Sequence, residues 1–341
     1  MMAAAGRVVC FGELMLRLTA MHEGILLQER RLDCTFGGAE ANVAVSLARL
    51  GWPSAMVTVL PDNPLGMSAR DELRRYGVEV EQVHLTAGRL GLYFLTPGAV
   101  LRPSEVLYDR DHSAFADAAP DLIDWDSALK GAGRLHLSGV TPAIGPNGAD
   151  AALRAVAAAN RVNVPISFDG NYRGKLWALW DGDGPGILRE LFASADVAFA
   201  DDRDMALVLK REFAEADPHE RRRAAASVAF EAFPRLEVVC STFRDLAGVG
   251  EQSLSAVLFR RGQEEVTCGP YQLTGVVDRI GGGDAFAAGV LYGLHAGEGD
   301  ARALELGLAA AVYKHSIFGD FNMATRADLD IILEGGKDVR R

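Results

Sequence analysis

Short apolar runs alternate with stretches of helical periodicity almost from the first residues, and no other feature narrows the possible folds of this chain as much. Arg7–Phe11 is apolar and stopped by Gly12, as a buried strand would be. Residues 39–50 then carry apolar side chains at helical spacing until Gly51 ends them. Residues 57–60 read as the next strand, Pro61-Asp62-Asn63-Pro64 as a turn, and residues 66–76 as a second helix closed by Gly77. The rhythm resumes later, with strands near residues 134–137, 164–168, 197–200 and 236–240 and helices among them. This order predicts an α/β fold with a mostly parallel sheet covered by helices on both faces.

Two stretches interrupt the alternation, residues 13–35 and 89–112. In the second, Gly91-Leu92-Tyr93-Phe94-Leu95 and Val106-Leu107-Tyr108 read as strands with no helix between them. The two stretches are expected to pair as a small separate sheet. The chain has neither an internal repeat nor a low-complexity linker, so residues 1–341 are expected to form one domain with this excursion. The helix predicted over residues 218–233 carries Arg221-Arg222-Arg223, flanked by Glu220 and Glu231. On an acidic chain that triplet is expected to be a solvated face.

With 341 residues and 49% hydrophobic content the chain can bury a sizeable core. A formal charge of −11 argues against general binding to nucleic acid or to anionic membrane, which both need a positive surface. An anionic substrate would therefore need a locally basic pocket. Cys10, Cys34, Cys240 and Cys268 form neither a CxxC pair nor a zinc-ligand cluster and are expected to be reduced thiols. The N-terminal residues lack the pattern of a signal peptide, and no apolar run approaches the roughly 20 residues that cross a bilayer as a helix. A soluble, cytoplasmic protein is expected.

The strongest chemical signal is Asp278-Arg279-Ile280-Gly281-Gly282-Gly283-Asp284, followed at once by a helical apolar pattern. Bare glycine backbone lets N–H groups converge on an anion, and a helix N-terminus adds its positive dipole end. Asp284 would then be placed to accept a proton from an attacking hydroxyl. The same residues also fit a tight turn in which Asp284 is simply an N-cap. A second glycine turn, Gly37-Gly38-Ala39-Glu40-Ala41-Asn42, precedes the first helix, where backbone and the Asn42 amide suit sugar hydroxyls. A third cluster, Asp169-Gly170-Asn171-Tyr172-Arg173, follows a strand, where open α/β sheets place ligands. Arg173 there suits a carboxylate or a phosphate. No G-x-G-x-x-G follows the first strand and no P-loop spacing occurs, so dehydrogenase and P-loop ATPase readings drop.

The two glycine motifs, in this order and each at a helix start, resemble the paired signatures of the ribokinase-like, or PfkB-type, carbohydrate kinases. Within that family, Gly12-Glu13-Leu14-Met15-Leu16-Arg17, Leu92-Tyr93-Phe94, Tyr108-Asp109-Arg110, His136-Leu137-Ser138-Gly139, Asn171-Tyr172-Arg173 and Gly319-Asp320-Phe321-Asn322 are most similar to 2-keto-3-deoxygluconate kinases. The resemblance implies a ribokinase-like three-layer αβα fold with a small β-sheet lid made by residues 13–35 and 89–112. It implies ATP-dependent phosphorylation of the 6-hydroxyl of 2-keto-3-deoxygluconate with ATP and Mg²⁺, and leaves open an activating monovalent cation such as K⁺. Asp284 would be the base, and Gly281, Gly282 and Gly283 the anion hole. The sugar acid would meet Gly37, Gly38, Asn42, Tyr93, Tyr108, Arg110, Arg173 and Asp320. ATP would meet Asn171, Asp201, Thr242, Arg244, Gly281, Gly283 and Asn322, with Asp201 and Asp204 near the metal through water. A dimer through the lid strands, or a higher homo-oligomer, would follow. His136 is expected to be a structural histidine.

Three positions depart from the family pattern. Asp201-Asp202-Arg203-Asp204 stands where Asn-x-x-Glu is common, Thr242-Phe243-Arg244 replaces Thr-x-Gly, and Gly281-Gly282-Gly283-Asp284 replaces Gly-Ala-Gly-Asp. Fructokinase, ribokinase and 2-keto-3-deoxygalactonate kinase are the neighbouring readings. A catalytically silent sugar- or nucleotide-binding regulator is the non-enzymatic one.

Overall fold

The computed structural model describes residues 6–246, 248 and 250–336. Its strands are β1 (Arg7–Phe11), β2 (Met15–Ala20), β3 (Leu32–Gly37), β4 (Ser54–Pro61), β5 (Val83–Thr86), β6 (Leu92–Thr96), β7 (Glu105–Asp109), β8 (Ala132–Ser138), β9 (Ile166–Asp169), β10 (Val197–Phe199), β11 (Val238–Leu246), β12 (Glu251–Arg260) and β13 (Val266–Thr274). Its helices are α1 (Ala39–Arg49), α2 (Pro64–Arg75), α3 (Trp125–Ala128), α4 (Val140–Ala143), α5 (Pro146–Arg161), α6 (Gly174–Trp177), α7 (Gly184–Ser194), α8 (Asp202–Leu209), α9 (Pro218–Ala232), α10 (Gly282–Ala296), α11 (Gly299–Lys314) and α12 (Arg326–Leu333).

Nine strands form the large sheet in the order β13-β12-β11-β10-β9-β8-β1-β4-β5. Every pairing from β5 across to β11 is parallel, and only the β11–β12 and β12–β13 pairings are antiparallel. Alternation along β1 explains the three layers. Val9 and Phe11 pack with α3, α5, α7 and α9 on one face, while Val8 and Cys10 pack with α1, α2, α10 and α11 on the other. A strand buried on both faces has no polar side, which is why residues 8–11 read as a continuous apolar run.

The two interrupting stretches supply a second sheet, β3-β2-β6-β7, in which β2 runs parallel to β6 and antiparallel to β3. Two boundaries differ from the expectation for local reasons. Helix α2 starts at Pro64, because Asn63 accepts the Leu65 and Gly66 amides and Pro64 fills the first turn. Strand β11 runs on to Leu246 because β12, which hydropathy alone did not reveal, pairs with it to the end. All four cysteines are free, and no described helix is long and apolar enough to cross a membrane.

Candidate active site

The polar residues collect at the carboxyl ends of β1, β8, β9 and β10, where parallel strands leave a crevice between their following loops. There a cleft of about 920 Å³ is lined by Asp169, Asn171, Arg173, Asp201, Asp204, Arg222, Thr242, Arg244 and Gly283, among others. Above it stands the N-terminus of α10. Gly281 caps that helix with φ +82, a left-handed conformation that favours glycine. A Cβ on Gly281 would lie 2.1 Å from the Asp320 carbonyl oxygen.

Asp284 sits in the first turn of α10, half-buried, and Nδ2 of Asn42 donates to its Oδ2 at 2.6 Å. The Asn42 Oδ1 accepts the Gly38 amide at 3.3 Å, so one side chain joins the two glycine turns that lie far apart in sequence. Desolvation pushes the Asp284 carboxyl up to about 7; the Asn42 bond opposes this, and nearby Asp320 and Glu40 add to it. A carboxyl poised near neutrality at a helix N-terminus is suited to take a proton from a hydroxyl.

The cleft sets Arg173, Arg203, Arg221, Arg222 and Arg244 against Asp169, Asp201, Asp202 and Asp204. Asp201 pairs with Arg203, and Asp202 with Arg221 and Arg222. Arg173 and Arg244 make no ion pair with a described residue. The arginine triplet is not the solvated face expected from sequence. Arg222 is largely buried, donates to the Thr242 carbonyl and lies 3.8 Å over the Phe243 ring, while Arg223 alone keeps to surface pairs with Glu220 and Glu265. Helical periodicity was blind to the β11 edge that packs over one side of α9.

Asp201 and Asp204 form a capping box on α8: Asp201 accepts the Arg203 and Asp204 amides, and Asp204 accepts the Asp201 amide. The Asp201 carboxylate also accepts from the Arg203 guanidinium. Desolvation and Asp201 push Asp204 up to about 7. Desolvation, with Asp284 and Asp204 nearby, pushes Asp169 well up, and no described residue hydrogen-bonds its carboxyl. These two carboxyls fit a divalent cation, which would restore their charged forms. Among the described residues no cluster of three or more His, Cys, Asp or Glu side chains is arranged to hold a metal, so the ion would keep much of its water.

The residues expected around the sugar divide. Tyr93 and Tyr108 stand side by side with ring centroids 6.0 Å apart, and the Arg110 guanidinium lies 5.6 Å over Tyr108. Arg110 is not a free clamp, however. It is buried, and its Nε and Nη2 donate to Glu13 Oε2 at 2.8 and 2.5 Å. Ser113 donates to the other Glu13 oxygen at 2.5 Å. Tyr93 donates its hydroxyl to Asp320 at 2.6 Å, and the Asp320 carboxylate stands 2.0 Å from where a Gly37 Cβ would be. Asp320 thus braces the first glycine turn. Asn322 is buried, with its amide shared between the Ala310 carbonyl and the Ala324 N–H. His136 is buried against Ser167 Oγ at 2.9 Å and held neutral by desolvation, which lowers its pKa to about 3.

Sequence reasoning gave no role to Glu13, Arg17, Glu40 or Asp169. Each lies inside a motif already singled out, so proximity to those motifs was the available signal. Glu40 accepts from the Ser138 N–H and Oγ and from Thr141 Oγ1, and so ties α1 to the end of β8.

Comparison with known proteins identifies the family. The pfkB family of carbohydrate kinases matches residues 5–319. A 2-dehydro-3-deoxygalactonokinase of Haloferax volcanii is 34% identical over 96% of this chain and 97% of its own. The 2-dehydro-3-deoxygluconokinase of Bacillus subtilis is 26% identical over 98% and 97%. The crystal structure of the Thermotoga maritima 2-dehydro-3-deoxygluconokinase superposes with a TM-score of 0.91, at 34% identity, covering 97% of this chain and 100% of that one. The chain belongs to the pfkB family of carbohydrate kinases, a ribokinase-like α/β fold whose members use ATP and Mg²⁺.

Proposed function

We propose that this kinase transfers the γ-phosphoryl group of ATP to the 6-hydroxyl of 2-keto-3-deoxygluconate, giving 2-keto-3-deoxy-6-phosphogluconate. The observation that carries the reading is Asp284: a carboxyl tuned to about 7 at the N-terminus of α10, held by Asn42, above an arginine-lined cleft. Asp284 takes the hydroxyl proton as the oxygen attacks, and the Gly281–Gly283 amides receive charge that develops on the phosphoryl oxygens. Mg²⁺, when bound near Asp169 and Asp204, would neutralise phosphate charge. With Arg110 held by Glu13, the substrate carboxylate falls to Arg173, which lies near Asp169, Asp204 and Asp284 but makes no direct ion pair with a described carboxylate. Thr242, Arg244 and Asn171 take the nucleotide side of the cleft.

The 34% identity to a 2-dehydro-3-deoxygalactonokinase favours 2-keto-3-deoxygalactonate as the second reading, since the two acids differ at one hydroxyl. ADP release in a coupled assay with Mg²⁺-ATP should appear with one or both of these acids and not with fructose, ribose or a blank. Turnover of neutral sugars alone would overturn the sugar-acid reading. Arg173→Met should raise KM for the acid about 30-fold while leaving KM for ATP within about threefold. An unchanged sugar KM would remove Arg173 from that role.

A second copy of the chain is proposed to cover the outer side of the small sheet. Leu27, Val100 and Leu101, at the sheet's connections, are 72%, 85% and 87% exposed, and Leu107 on β7 is 57% exposed. Sedimentation equilibrium should give a dimer or a higher multiple, and a monomer at micromolar concentration would sink the idea.

A further inference from the structure

We infer that Arg17 is a positioning residue that fastens the small sheet to the anion-binding turn and to the sugar-side glycine turn at once. Arg17 lies mid-strand on β2, opposite Thr35 of β3 and Tyr93 of β6, and is 1% exposed. A buried guanidinium must be fully compensated or it would not stay buried. All three of its nitrogens are occupied: Nε donates to Thr19 Oγ1 at 2.8 Å, Nη1 to Asp320 Oδ1 at 2.9 Å and Nη2 to Asp278 Oδ2 at 2.6 Å.

The two carboxylates it holds lead to different parts of the site. Asp278 opens the turn that ends in Gly281–Gly283, and its oxygens accept the Ile280 amide at 2.9 Å and the Gly319 amide at 3.1 Å. Asp320 touches both glycine motifs, its carbonyl against Gly281 and its carboxylate against Gly37. The guanidinium fork therefore reaches the phosphoryl-binding turn through one aspartate, and both glycine turns through the other.

A buried ion pair is weak evidence for stability, because an apolar cluster of the same volume holds a fold as well. What a fork adds is direction: two carboxylates fixed at set angles to one strand. Arg17 is buried and is not among the residues that line the cleft. Its influence runs through the shape of the anion hole, where a small misplacement of the amides costs rate.

The test compares wild type with Arg17→Lys, which keeps the buried charge but, as a single point, cannot hold both carboxylates. kcat should fall about 30-fold with both KM values within about threefold. The Ile280 and Gly319 amides, whose acceptors are the Asp278 oxygens, should exchange with solvent about tenfold faster. Exchange at the wild-type rate overturns the inference, as does faster exchange with unchanged kcat in an active enzyme. Should Arg17→Lys fail to fold, the isosteric Asp278→Asn takes its place with the same expectations and the same reversals. The kinetic arm rests on the kinase reading, whereas the exchange arm needs no turnover. A wild type silent with every sugar, together with faster exchange in the variant, would retract that reading and keep the coupling.

Discussion

Asp284→Asn is expected to lower kcat about 1,000-fold while sugar-acid affinity, measured by calorimetry, stays within about threefold. The amide keeps the size of the carboxyl and can still bond to Asn42, but it cannot accept the hydroxyl proton. The loss should also change the pH profile. In wild type the carboxyl titrates near 7, so kcat/KM should climb about tenfold per pH unit below 7 and level off above it. In the variant the small residual rate should lack that step. Stability moves the other way: with a folded pKa of about 7 against 3.8 for the free side chain, the native protein holds a proton that the unfolded chain sheds. This group therefore costs stability as pH rises from about 4 to 7, and nothing further above that. A variant with near-normal turnover, or one that keeps the step at pH 7, would remove Asp284 from the base role.

Gly281→Ala should be nearly as damaging to turnover, and should also lower stability. Placing an L side chain at φ +82 costs about 1–2 kcal/mol by itself. The added Cβ would also lie 2.1 Å from the Asp320 carbonyl oxygen, a backbone atom that cannot swing aside. The turn must shift, carrying the anion-hole amides with it, and kcat should drop about 100-fold. Gly283→Ala provides the contrast in stability: its Cβ would meet nothing within 4 Å, and alanine suits the first turn of a helix. Thermal melts should place Gly281→Ala several degrees below Gly283→Ala, by about 4–8 °C for each kcal/mol in a small domain and less in a chain of this size. Equal melting temperatures together with wild-type kcat would show that the turn tolerates the strain.

The two glycine turns were legible because their chemistry is local. A bare backbone before a helix start is written in consecutive residues, and both turns stand where the spacing puts them, as does Asp284 in the first turn of α10. The α/β alternation was legible for the same reason, since strand and helix periods differ and each is read within a dozen residues. Strands β12 and β13 were not, because polar residues are mixed into both runs and Gly269-Pro270, which reads as a break, lies inside the second.

Side-chain partners were beyond reach. Arg110 and Arg173 look alike in sequence, two arginines beside tyrosines, yet Glu13 neutralises one of them and no described carboxylate pairs with the other. Asp201 and Asp204 read as possible metal-side carboxylates, and the structure sets both in the capping box of α8. Asn322 reads as a ligand residue beside Asp320, and the structure buries it with its amide bonded to backbone.

The sequence by itself determined the fold class, the small second sheet and the two turns at which phosphoryl and sugar chemistry would take place. Each of these follows from hydropathy period and backbone freedom along a short stretch. Only the tertiary structure decided which charges are spent and which remain. That depends on contacts such as Arg17 with Asp278 and Asp320, or Asn42 with Asp284, between residues more than two hundred positions apart. Whether a buried charge is neutralised is settled by the few ångströms around it, and nothing along the chain records that distance.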